Sequence, residues 1–67
     1  MNQTAPQSKR KKELQELLNK KGGFSYHKVK EVMNEVIVEM RLVPEKEAKH
    51  IKTLYPKEVE EVLYRFS

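Results

Sequence analysis

The stretch Val43-Pro-Glu-Lys-Glu-Ala-Lys-His-Ile-Lys-Thr-Leu-Tyr-Pro-Lys-Glu-Val59 decides the fold, because its two readings lead to two architectures. Read as a helix over 44–54, it starts at Pro44, and proline suits a first turn that needs no intrahelical N–H. Glu45 and Glu47 then sit at the positive end of the helix dipole, and Lys49, His50 and Lys52 lie toward the negative end. Ala48, Ile51 and Tyr55 (or Leu54) fall on one side. Read as a strand over 49–55, Ile51, Thr53 and Tyr55 alternate with His50, Lys52 and Leu54. The helix gives an all-α domain of three or four helices, whereas the strand gives a winged helix. Caps, dipole and period together favour the helix.

Working outward, Pro56 repeats the helix-start signal. Val59, Val62, Leu63 and Phe66 follow at i, i+3, i+4, i+7, with Glu58, Glu60 and Glu61 early and Arg65 late. Tyr55, preceding a proline, is pushed toward extended backbone, which predicts a sharp corner before this last helix. On the other side, a long helix is predicted over 26–42, capped by Ser25, with Phe24 stapled against Val29. Its main stripe is Tyr26, Val29, Met33, Val36, Ile37 and Met40, widened by Val32. Val38 and Leu42 lie nearly opposite, and a helix with two apolar sides is central or shared with a second subunit. A first helix is predicted over 9–20, capped by Ser8, with Leu14, Leu17 and Leu18 as its apolar stripe and Gly22-Gly23 as its stop. Residues 1–8 are expected to form a disordered arm, and 9–67 a single helical domain.

The composition bounds the work such a chain can do. Its 67 residues include no cysteine, so a disulfide framework and a thiolate metal site are excluded. No apolar run approaches the roughly 20 residues that cross a bilayer, and the expected compartment is the cytoplasm. Aspartate is absent, the three serines fall at helix starts and the chain end, and His27 and His50 stand apart among lysines. A nucleophile, a base and an orienting group are not brought together by this pattern, so neither catalysis, a cofactor nor a metal site is expected.

What remains is binding. The net charge is +4, and Lys9, Arg10, Lys11 and Lys12 supply four consecutive cations. The remainder of the chain is formally neutral, with ten basic and ten acidic residues. A second set, Lys20, Lys21, His27, Lys28 and Lys30, surrounds the Gly-Gly turn, and a third, Lys46, Lys49, His50, Lys52 and Lys57, is assigned to the third helix. Clustered cations neutralise phosphates, so DNA is the expected partner, with Lys9, Arg10, Lys11, Lys12, Lys46, Lys49, His50 and Lys52 as its contacts. The competing expectation is a protein-binding adaptor or inhibitor. It would use the apolar faces of the helix over 26–42, with Val38 and Leu42 as a partner or homodimer contact.

Overall fold

A computed structural model of the chain describes residues 7–67. In chain order the elements are strand β1 (Lys9–Arg10), helix α1 (Lys11–Glu16), helix α2 (Tyr26–Arg41), helix α3 (Glu45–Ala48), strand β2 (Thr53–Leu54) and helix α4 (Pro56–Arg65). Helix α1 runs on into a π-helical turn over Leu17–Lys21. The architecture is a small all-α domain of four helices tied by a two-stranded antiparallel ribbon.

The stretch between the two prolines divides. Its first part is helical for one turn, after which the backbone tightens through His50 N–H to Glu47 O (3.0 Å) and Ile51 N–H to Ala48 O (3.2 Å). Its second part is extended, as Pro56 demands of Tyr55, which has φ −74° and ψ 162°. The predicted helix over 44–54 is therefore too long. The strand read over 49–55 is present at Thr53–Leu54 alone, and it pairs with Lys9–Arg10.

That pairing also corrects the predicted helix over 9–20. Lys9 and Arg10 give their backbone groups to β2, and the helix opens only at Lys11. Ser8 is not its cap. The Glu13 carboxylate instead accepts from the Arg10 N–H at 3.0 Å. The arm expected over 1–8 lies, for residues 1–6, outside the described residues, and Gln7 and Ser8 are exposed.

The core is one cluster in which Leu14 and Leu18 of the first helix meet Val29, Val32, Met33, Val36 and Ile37 of α2, closed by Ala48, Leu54, Val59 and Val62. The middle of the predicted α2 stripe is buried as the period requires. Its ends are not, since Tyr26 and Met40 are exposed. Ser25 caps α2 as expected, its Oγ accepting from the Lys28 N–H at 3.1 Å. Phe24 turns toward the C-terminus and packs on Phe66, with ring centroids 4.7 Å apart and planes tilted 52°.

The turn between the first two helices requires both glycines, for different reasons. Gly23 has φ +72°, in the left-handed region that side chains disfavour. A Cβ on Gly22 would stand 2.7 Å from the Phe24 ring and 2.9 Å from the Leu18 carbonyl oxygen.

Candidate functional site

The ribbon brings together two basic segments that are far apart in the chain. Lys9 lies opposite Leu54 and Arg10 opposite Thr53, and the Lys11 N–H continues the ladder to the Lys52 carbonyl at 2.8 Å. The run Lys9–Lys12 is thereby laid antiparallel to the segment carrying Lys49, His50 and Lys52. Arg10, Lys12, Lys46, Lys49, His50 and Lys52 are exposed and Lys9 is half-buried. Among the described residues, carboxylates within ion-pair distance are found only for Arg41 and Arg65. The ribbon cations thus make no side-chain ion pair at that distance.

Beside the ribbon a cleft of about 360 Å³ opens between α1 and α2. Lys11, Lys12, Lys30 and Lys49 line it, and Glu16 is the carboxylate among its lining residues. Tyr26, exposed, and Met33, buried in the core behind it, are its apolar lining residues, and Gln15 is buried at its wall. Gln15 donates through Nε2 to the Tyr26 carbonyl at 3.0 Å, while its buried Oε1 has no hydrogen-bond partner.

Lys11 has a role different from its neighbours. Its Nζ donates to Asn34 Oδ1 at 2.6 Å and to the Ala48 carbonyl at 2.9 Å, tying α1 to α2 and α3. Burial pushes its pKa below the ordinary lysine value, and the charges of Lys30 and Arg41 push it the same way. Of the expected phosphate contacts, Lys11 is thus held in place by the protein, and the others named above are not paired with carboxylates.

The negative charge lies elsewhere. Glu31, Glu35 and Glu39, spaced four apart on α2, border a second depression together with Asn34, Val38 and Glu45. Arg65 spans this flank, meeting Glu39 at 2.6 Å, Glu61 at 2.8 Å and Glu35 at 3.9 Å. These bonds, chiefly those from Glu39 and Glu61, raise its pKa above the ordinary arginine value. Glu58 does not join the acidic surface, because it is buried against Arg41.

The residues proposed for a protein contact diverge. Val38 is half-buried and packs on the core. Leu42 is 87% exposed and closes α2 in a left-handed conformation, φ 58° and ψ 45°. Tyr26, Gln15 and Lys30 were not singled out as site residues by the sequence. Tyr26 and Gln15 enter the cleft only through the packing of α1 on α2, which local periodicity does not encode, whereas Lys30 belongs to the basic set around the Gly-Gly turn.

No group of three or more His, Asp or Glu suited to a metal ion occurs among the described residues. No helix among them is long and apolar enough to cross a membrane. No family model, no curated protein and no solved structure matches the chain.

Proposed function

We propose that this protein is a small, non-catalytic DNA-binding regulatory or accessory protein that grips the phosphate backbone through the ribbon and the cleft beside it. The observation that carries this reading is the antiparallel pairing of Lys9–Arg10 with Thr53–Leu54, which sets two cationic segments side by side. Like charges gathered in excess over the carboxylates near them repel one another, and a polyanion relieves that repulsion. The glutamates gathered on the flank of α2 lie in a depression separate from the cleft, where Glu16 is the carboxylate among the lining residues. Lysines acting this way position a duplex or strand without reading its sequence.

The test is DNA binding over a salt series, with labelled DNA offered as duplex and as single strand, for the parent chain and for Lys12→Gln, Lys49→Gln and Lys52→Gln. Each phosphate contact removed lowers the magnitude of the salt slope by about 0.7 to 0.9. Absence of binding to both forms of DNA at low salt overturns the reading.

A second reading, a protein-binding adaptor, is favoured by Leu42. An exposed leucine held at positive φ is an arrangement that stability alone disfavours. Under this reading Leu42 seats a partner or a second copy of the chain. Sedimentation of the parent and of Leu42→Gly over a concentration series tests the self-contact, with a strictly monomeric parent removing it.

A further inference from the structure

We infer that the cleft between α1 and α2 receives one unstacked base of a single DNA strand, while the lysines around it hold the phosphates on either side. The inference rests on the DNA-binding reading and narrows it from DNA in general to a single strand.

Three observations lead to a base in the cleft. The first is size, since about 360 Å³ falls at the lower end of the range of small-molecule pockets and admits a planar ring system. The second is the make-up of the walls. Tyr26 is 61% exposed at the start of α2, and it borders the cleft together with Met33. An exposed aromatic ring between cations is the element on which an unpaired base stacks, and it is of no use to a phosphate alone. The third is Gln15, whose residue is 7% exposed and whose Oε1 has no donor. A buried acceptor without a donor costs free energy, and every base carries N–H groups on the edge that duplex pairing would otherwise occupy.

Continuity with the ribbon favours a polymer over a free nucleotide. Lys11 and Lys12 line the cleft and directly continue Lys9 and Arg10 on β1, and Lys49 lines it and leads to Lys52 beside β2. The cations therefore run on from the cleft along the ribbon, as a backbone with several phosphates requires and a single anion does not. A duplex keeps its bases stacked and paired, so it would meet the lysines but leave Tyr26 and Gln15 unused.

The test compares a labelled oligothymidine of about 15 nucleotides, near the upper site size of small single-strand binders, with a duplex of equal length. The single strand is expected to bind more tightly. Tyr26→Ala is expected to weaken single-strand binding about 5- to 100-fold with the salt slope unchanged, and Tyr26→Phe to retain it. Tyr26 lies outside the core, so these variants keep the fold, which their circular dichroism checks. A single strand bound no better than duplex, or Tyr26→Ala within about twofold of the parent, overturns this inference and leaves the broader DNA reading standing. Failure of both DNAs to bind at low salt removes both.

Discussion

Arg41 and Glu58 face each other in a two-pronged ion pair, with Nε to Oε2 at 2.6 Å and Nη2 to Oε1 at 2.8 Å. The same arginine donates to the Thr53 carbonyl at 2.9 Å and lies 4.0 Å from the centre of the Tyr55 ring. Glu58 also accepts the Tyr55 N–H at 2.8 Å, so one carboxylate fixes the end of α2, the strand β2 and the start of α4.

Removal of that carboxylate strands a partly buried guanidinium and an unpaired backbone donor. Glu58→Ala is expected to cost about 3 kcal/mol, the lower end of the range for a broken buried pair, because Arg41 keeps some solvent contact. Arg41→Met combined with Glu58→Leu removes both charges and is expected to recover the part of the loss that comes from the stranded guanidinium, while the Tyr55 N–H stays without its acceptor. Urea denaturation of the two single variants and the double one checks this.

The same pair sets a response to acid. Burial raises the Glu58 pKa, but the hydrogen bonds from Arg41 and the Tyr55 N–H, with the arginine charge, outweigh it and leave the group below the ordinary carboxylate value. The unfolded chain then binds the proton first. The contribution is full above the ordinary carboxylate range, about pH 4.3, and is lost as pH falls toward the lowered folded value. Thermal melts of the parent and Glu58→Gln from neutral pH downward should converge in acid, and parallel curves would show that the loss arises elsewhere.

Gly22 and Gly23 are expected to separate by mechanism. Gly22→Ala drives a methyl into the Phe24 ring and a backbone oxygen, and overpacking of that kind costs about 1–3 kcal/mol. Gly23→Ala meets nothing within 4 Å and bears only the left-handed strain, about 1 kcal/mol. Near-ultraviolet circular dichroism should register the displaced Phe24–Phe66 pair in the first variant and not in the second.

Lys11→Met removes the donor from Asn34 Oδ1 and the Ala48 carbonyl and is expected to destabilise the fold by about 1–3 kcal/mol. The lowered Lys11 pKa makes that cost depend on pH. Between the lowered folded value and the ordinary one near 10.4, the unfolded chain holds more protons, so Lys11 favours folding more as pH rises. The stability gap between parent and variant should therefore widen in alkali, and denaturant titrations at a series of pH values read it directly.

Features that depend on near neighbours were legible in the sequence. The Ser25 cap, the Gly22-Gly23 turn, the buried stripe of α2 and the amphipathic α4 all follow from residues within a turn or two of one another. The ribbon did not follow, because Lys9–Arg10 shows neither β-branching nor alternation, and its pairing partner lies more than forty residues along the chain. The same gap hid the cleft. The clustered cations were evident at Lys9–Lys12 and Lys49–Lys52. The aromatic and amide walls at Tyr26 and Gln15 depend on how the first two helices cross. The left-handed Leu42 gave no signal, since a helix stop is read from glycine or asparagine and neither stands there.

Pairing of residues 9–10 with 53–54 closes the chain between them into one circuit. A growing polypeptide cannot complete that circuit until Thr53 and Leu54 have been made. Until then the core lacks Leu54, and Lys9 and Arg10 lack their pairing partner. Maturation of the fold and assembly of the charged surface are consequently a single late event, and any product cut short before Thr53 would lack both.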